Sequence, residues 1–426
     1  MKKYILFTFL QLVILYGGLS AAEGQLKAGT AKINITPQNV LPLHDSVYAR
    51  SLILEVNGER IAQVAVDLVG FESERVAKIC KEKYGISYVL ISASHSHSCP
   101  IALALFDRST AYPSYTTYFE DKIIEVVGKA LDNMFSARIS AGHRTFPQLG
   151  FNRLIIRDNG RARESWFGDH HYNVENPERI PFGPVDPEVG VIKIEDMNGE
   201  PKVIVMNYAC HSDIVCFNYE ISADYPGVAA KKVEEAFDGK VNCLFVQGAA
   251  GNIESLQISR RRQSPDDPIK SDYKPMERTG ELLAFEAIKL AKQLKASSDR
   301  TDMRFRHDSL SFTGRYDKSL SFNVHLTTIL INDILIAACP GELFVQLQLE
   351  WKDKARLGDT TPFIFGYTWT GGKSPGYIPD VRSAALGGFG ADQSLHMIEV
   401  GSGETIINKQ LENYYLLNGL MRQRPE

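Results

Sequence analysis

Residues 60–93 read RIAQVAVDLVGFESERVAKICKEKYGISYVLISA, and this stretch decides the fold. Residues 60–68 are an apolar, β-branched run of buried-strand character, and residues 86–93 are a second one. Between them, residues 72–83 place Val76, Ile79, Cys80 and Lys83 at helical spacing. Strand, helix and strand in so short a span predict a βαβ unit, with parallel strands and a right-handed crossover. The pattern recurs at 202–209, 227–237 and 242–247, with the helix entered just after Pro226. Further helices are expected over 119–134, 276–294 and 343–356. Residues 326–331 and 334–338 flank Asn332-Asp333 and predict a hairpin. The expected fold class is α/β, with mixed sheets, βαβ units and flanking helices.

The chain has 426 residues, 47 Lys+Arg against 51 Asp+Glu, and a net charge of −4. This composition is globular, and the interspersed charges form no basic stripe to track phosphates, which argues against a nucleic-acid partner. Residues 1–22 read as a secretory signal peptide: Lys2 and Lys3, an apolar run over 4–16, then Gly17, Gly18, Ser20, Ala21 and Ala22. The apolar run is short for a membrane span. Cleavage near Ala21 or Ala22 would take the net charge from −4 to −6, and no cysteine near that point invites a lipid. The expectation is a secreted or periplasmic protein with no integral membrane segment once the signal is removed. Six cysteines show no framework spacing, so buried free thiols are expected for most, with Cys210 and Cys216 the best candidates for a disulfide. Residues 157–189 and 259–274 read as long loops. The basic run 260–262 in the second reads as a solvated face.

In open parallel sheets, ligands bind where strand carboxyl ends converge. After residues 86–93 comes Ser94-His-Ser-His-Ser-Cys-Pro100, and after 202–209 comes Cys210-His-Ser-Asp213. After 242–247 comes Gly248-Ala-Ala-Gly-Asn252, and after the hairpin comes Cys339-Pro-Gly-Glu342. His95 and His97 are two apart, so an extended segment points both imidazoles to one side. Three of only ten histidines thus fall at strand ends, which favours a metal site over chance. Cys99 is a weaker ligand candidate, because the following apolar run 101–106 suggests packing. Gly248 to Gly251 reads either as a backbone N–H cradle for an anion or as a closely packed turn. A P-loop and a GxSxG elbow are both absent.

Taken in order, the motifs resemble the catalytic domain of the neutral/alkaline (non-lysosomal) ceramidase family. They run from Ala28-Gly-Thr-Ala-Lys-Ile-Asn-Ile-Thr-Pro37 through Tyr48-Ala-Arg50, Val66-Asp-Leu68, Ser94-His-Ser-His-Ser98 and Phe151-Asn-Arg153. Gly183-Pro-Val-Asp-Pro-Glu-Val189, Asn207-Tyr-Ala-Cys-His211 and Ser222-Ala-Asp-Tyr-Pro-Gly227 follow. Gln247-Gly-Ala-Ala-Gly-Asn252, Pro340-Gly-Glu342 and Gly376-Tyr-Ile-Pro379 complete the set. The resemblance implies one large ceramidase-like catalytic domain over 23–426 and a zinc amidohydrolase. It implies His95, His211 and Glu342 as zinc ligands and Tyr377 as a fourth, with Tyr367 lying nearby. It also implies His97 and Arg153 at the reaction centre, with His97 stabilising the oxyanion. One departure stands out: where the family carries a proposed serine nucleophile, this chain has Glu254, and Ser255 fits only after a one-residue shift. The family's C-terminal immunoglobulin-like domain has no counterpart either.

The expected function is a zinc-dependent hydrolase of an N-acyl amide that uses metal-activated water. Glu254 is a candidate general base, or else a solvent-facing carboxylate at a helix start. Asp67 and Asp224 are candidate partners for the histidines, or else helix caps. The substrate is a small molecule or a lipid or glycoconjugate. The alternatives are a hydrolase of this fold acting on a carbohydrate or ester conjugate, and an inactive binding protein that keeps the pocket.

Overall fold

The computed structural model describes residues 23–38, 42–100, 115–146, 149–164, 182–216, 218–259, 264, 266–392 and 398–421. The signal segment 1–22, the apolar run 101–106, much of the 157–189 loop and the basic run 260–262 lie outside the described residues.

Eight strands and a short ninth build the first sheet: β1 (Lys27–Asn34), β2 (Tyr48–Val56), β3 (Glu59–Val66), β4 (Tyr88–Ala93), β5 (Phe135–Thr145), β6 (Glu188–Asp196), β7 (Pro201–Tyr208) and β8 (Asn242–Gln247). The second sheet holds β9 (Met303–Thr313), β10 (Ser321–Ile331), β11 (Ile334–Ala338) and β12 (Thr361–Phe365), after which β13 (Thr368–Trp369) returns to the first sheet. The spatial orders are β8-β7-β6-β5-β1-β2-β3-β4-β13 and β9-β10-β11-β12. Both expected βαβ units are present: β3 and β4 run parallel across the Glu74–Tyr84 helix, and β7 and β8 run parallel across the Asp224–Ala236 helix. The hairpin between β10 and β11 turns at Asn332, which takes φ 54°. The mixed α/β expectation is therefore met.

Side-chain alternation explains the layering. In β7, Ile204, Met206 and Tyr208 face the Asp224–Ala236 and Lys274–Gln293 helices, whereas Val203 and Val205 face the second sheet. In β2, Ile53 faces the Glu74–Tyr84 and Thr116–Asp132 helices, whereas Leu52 and Leu54 turn inward toward Ile329, Ile336 and Phe363. The outer face of the second sheet is covered by the Val345–Arg356 and Ser402–Leu417 helices around Trp351 and Tyr414. The result is four layers, helix, sheet, sheet, helix. Strands buried on both faces read as unbroken apolar runs, which is why the βαβ units were visible in the sequence. Local signals agree: Ser73 caps the Glu74–Tyr84 helix by accepting from Val76 N, and Gly85 ends it at φ 66°.

The first sheet curls, so β8 packs against β2, β3 and β4 although six strands separate β8 from β4 in the order. That closure brings the end of β4 to the ends of β7 and β8. At the other contact, Gly366 N donates to Gln247 O and Thr368 N donates to Cys339 O, tying the second sheet to the same point.

All six cysteines are buried and none forms a disulfide, which corrects the expected Cys210–Cys216 pairing. Cys210 lies in the core under Gly150, and Cys216 turns instead to His97. Asp67 and Asp224 are not histidine partners either. Asp67 Oδ2 accepts from Tyr48 N and Arg50 Nη1, both at 2.9 Å, so two of the family-like motifs clamp each other. Asp224 accepts from Val215 N and Tyr225 N at the start of its helix.

A buried ionic group holds the 183–189 segment to the Val345–Arg356 helix of the fourth layer. Lys352 Nζ lies 2.7 Å from Asp186 and 3.0 Å from Glu188, and the His143 ring stands 3.7 Å from Glu188 against Phe363. Neither ring nitrogen of His143 has a hydrogen-bond partner, and burial, helped by the Lys352 charge, lowers this imidazole to about 4 from 6.5. Such a group binds a proton more readily in the unfolded chain, so its contribution is full above pH 6.5 and is lost as pH falls toward 4. Comparison of urea unfolding for wild type and His143→Phe should show the wild type losing about 3 kcal/mol more over that interval. Parallel pH profiles for the two proteins would contradict this assignment.

Candidate metal centre

His95 follows β4 and His211 follows β7, as the strand-end reading expected. His95 takes φ 65°, a left-handed conformation that costs a non-glycine residue about 1 kcal/mol or more and recurs at functional sites. Its Nδ1 lies 2.6 Å from Val69 O. His211 Nδ1 lies 2.7 Å from Ala250 O and 3.1 Å from Ile253 O. A carbonyl can only accept, so both Nδ1 atoms carry a proton, and the neutral tautomer compatible with these bonds presents Nε2 as a lone pair. Both Nε2 atoms point at one oxygen: Glu342 Oε2 is 3.5 Å from His95 Nε2 and 3.4 Å from His211 Nε2. His211 Nε2 is buried without a hydrogen-bond partner. Burial, with His211 adding to it, lowers His95 to about 4 against the pull of Glu342. Burial alone would raise Glu342, but the positive charge that the two imidazoles carry when protonated, together with Arg153, outweighs it and holds the carboxyl at about 2. Three acceptors therefore face one point. Ligand atoms about 2.1 Å from a tetrahedral zinc stand about 3.4 Å apart, which is the spacing found, so these residues fit the ion.

His97 joins the cluster: ligand atoms of His95, His97 and His211 all lie within 4.8 Å of one another. Burial and the two neighbouring imidazoles lower His97 well below 6.5, so it is neutral, and its Nδ1 lies 3.4 Å from Cys216 Sγ. The serines of the motif are fasteners, with Ser96 Oγ donating to Ser222 O and Ser98 Oγ donating to Val215 O. Cys99 Sγ accepts from Val69 N and is buried among apolar side chains, in the packing role expected of it.

The two tyrosines divide the work. Tyr367, at φ 51° where the chain crosses from the second sheet to the first, packs its ring 4.4 Å from His95 and donates its hydroxyl to Glu342 Oε2 at 3.3 Å. Tyr377 pairs in register with Glu342 and accepts from Arg153 Nη2 at 3.2 Å. Burial raises both phenols, so both are neutral.

Arg153 is 2% exposed, and both of its Nη atoms are engaged. Nη1 donates to Glu254 Oε2 at 2.8 Å, Nη2 donates to Gly251 O at 2.7 Å, and Phe389 lies 4.9 Å from the guanidinium. Glu254 is neither solvent-facing nor at a helix start: it is 3% exposed in the short strand Ile253–Ser255, paired with Gly150–Asn152. Burial would raise its pKa, but a hydrogen bond from Asp213 and the Arg153 charge hold it at about 2. Burial and Glu254 push Asp213 the other way, well above the usual range, so Asp213 keeps the proton of this pair. A carboxylate this reluctant to take a proton is poorly suited to a general base. Ser255 Oγ is buried and accepts from Gln257 N.

The Gly248–Gly251 turn is a packed turn, not an anion cradle. Gly248 N, Ala249 N and Gly251 N are already taken by Tyr208 O, Gln348 Oε1 and Leu343 O. A Cβ on Gly251 would lie 2.4 Å from Glu342 O. Its carbonyls do the positioning, Ala250 O for His211 and Gly251 O for Arg153.

His95 and Glu342 open onto a cleft of about 430 Å³, walled by Phe71, Tyr367 and Trp369 with Glu72 and Ser374 among its lining residues. Among the described residues, no helix is long and apolar enough to cross a membrane.

No protein-family model matches the chain, and no curated protein does. Solved structures do. A neutral ceramidase from Pseudomonas aeruginosa aligns at a TM-score of 0.69 and 15% identity, over 95% of this chain and 76% of that one. A ceramidase complexed with C2 aligns at 0.70 and 15%, over 95% and 77%. The chain therefore has the neutral ceramidase fold, as the ordered motifs implied.

The Arg153–Glu254 pair yields a stability prediction. Glu254→Gln keeps the shape but leaves the buried guanidinium without its counter-charge, which should cost about 3–5 kcal/mol in chemical unfolding. A loss within experimental error would show that the pair does not hold this side of the site.

Proposed function

We propose that the chain is a ceramidase-type hydrolase that holds one zinc ion with His95, His211 and Glu342 and cleaves an N-acyl amide. The observation that carries this reading is the convergence of two carbonyl-anchored imidazoles and one carboxylate oxygen, 3.4 and 3.5 Å away, at the edge of an open cleft. When bound, zinc supplies Lewis acidity, polarising a carbonyl and bringing the pKa of water toward neutrality.

In this reading Tyr377 is the fourth ligand, oriented by the Arg153 N–H that its oxygen accepts. Tyr367 fixes Glu342 through its hydroxyl. Neutral His97 donates a hydrogen bond to the scissile carbonyl oxygen as negative charge develops there, and Arg153 adds a fixed positive charge. Glu254 positions Arg153 and takes no proton. The aromatic wall of Phe71 and Trp369 takes an apolar part of the substrate, in keeping with the ceramidase neighbours. We also propose that the protein is exported after cleavage near Ala21 or Ala22, which mass spectrometry of the N-terminus would test directly.

The close grouping of three imidazoles favours a second ligand set in which His97 binds the metal itself. Zinc analysis of His97→Ala separates the two. Retained zinc with kcat lowered about 10²–10³-fold fits the oxyanion role, and loss of zinc fits the ligand role. For the reading as a whole, purified protein should carry one zinc, and His95→Ala and His211→Ala should lose both zinc and activity on N-acyl substrates. Cleavage confined to glycosides or esters across a substrate panel would replace the amide assignment, and tight binding without turnover would mark a binding protein.

A further inference from the structure

Gln247, the last residue of β8, is completely buried and touches both histidine turns. Its Oε1 accepts from Cys210 N at 3.2 Å, and its Nε2 donates to Cys210 O at 2.7 Å and Ser94 O at 3.2 Å, with Ser212 Oγ at 3.3 Å. Ser94 precedes His95, and Cys210 and Ser212 flank His211. The amide cannot be flipped, because Cys210 N needs an acceptor and a flip would set the amide oxygen against two carbonyl oxygens. Ser212 completes the clamp: its Oγ donates to Ser94 O at 2.6 Å, and its carbonyl accepts from His97 N at 3.1 Å. Three residues after Gln247, Ala250 supplies the carbonyl that fixes the His211 ring.

β4 and β7 are not neighbours in the sheet, so no ladder of hydrogen bonds sets the distance between their ends. A primary amide sets it here, with one group that both accepts and donates.

We propose that Gln247 is the positioning residue that holds the His95 and His211 turns at ligand spacing, and that its side chain thereby sets zinc affinity. This rests on the reading of the two histidines as zinc ligands. The test compares Gln247→Leu and Ser212→Ala with Asn207→Leu. Asn207 is a buried amide in β7 that donates to Val246 O and Ile364 O and reaches neither histidine turn, so its loss reports burial effects alone.

Zinc affinity is measured by competition with a chromophoric chelator, geometry by the visible spectrum of the cobalt-substituted protein, and stability by melting of the metal-free forms. Gln247→Leu should weaken zinc about 10–100-fold, the range for lost outer partners of metal ligands, and alter the cobalt bands. Asn207→Leu should lower the melting temperature and leave both metal readouts unchanged. A Gln247→Leu protein that folds and binds zinc with wild-type affinity and spectrum overturns the proposal. If that variant does not fold, Ser212→Ala decides: several-fold weaker zinc supports the clamp, and wild-type affinity overturns it. If the wild type takes up no zinc, the ligand reading fails, and the clamp is judged on the metal-free protein. There, the Nδ1–H proton signals of both imidazoles should be protected from exchange in wild type and lose protection in Gln247→Leu, and equal protection overturns it.

Discussion

The site depends on one electrostatic constraint: two imidazole Nε2 atoms, whose Nδ1 protons are held by carbonyls, face one carboxylate oxygen at 3.4 and 3.5 Å. Acceptors crowd in this way only when something positive is to be placed among them or when the fold forces them together. Here the fold does the forcing. Val69 O and Ala250 O take the Nδ1 protons, so neither ring can turn its N–H toward Glu342 without abandoning a buried carbonyl. The curl of the first sheet, the left-handed backbone at His95 and Tyr367, and the packed glycine turn all serve that convergence.

Around this centre the charges are separated by position. Glu342 faces the imidazoles, while Glu254, also anionic, faces Arg153 and is kept there by the proton on Asp213. The fold thus accommodates a glutamate at the position where the family resemblance implied a serine, and pairs it with an arginine 101 residues earlier in the chain. That arginine in turn donates to Tyr377, so the Glu254 ion pair and the Tyr377 hydroxyl share one guanidinium.

How much of this was legible in the sequence follows from burial. The βαβ units were visible because β3, β4, β7 and β8 are apolar on both faces. β5 was not, because His143, Arg144 and Thr145 break its second half. The Ser402–Leu417 helix was missed because its buried side includes Ser402, Gln410 and Asn413, which blur the apolar stripe. His95, His97, His211 and Glu342, which the structure brings together, stood out in the sequence because each follows a strand. Their anchors were hidden, since every residue owns a carbonyl and nothing local marks Val69 or Ala250. The surroundings of Glu254 were hidden on the same ground: whether a glutamate is free or ion-paired depends on a partner distant in sequence. Asp67 and Gln247 belong to motifs that were noted, yet their roles as clamps appear only when the strands are assembled.

The central claim is tested most directly by X-ray absorption at the zinc edge on protein loaded with one equivalent of the ion. The account predicts a low-coordination nitrogen and oxygen shell near 2.0–2.1 Å with outer-shell imidazole scattering, lost in the double variant His95→Ala/His211→Ala. A six-oxygen shell, or a spectrum unchanged in that variant, would contradict it.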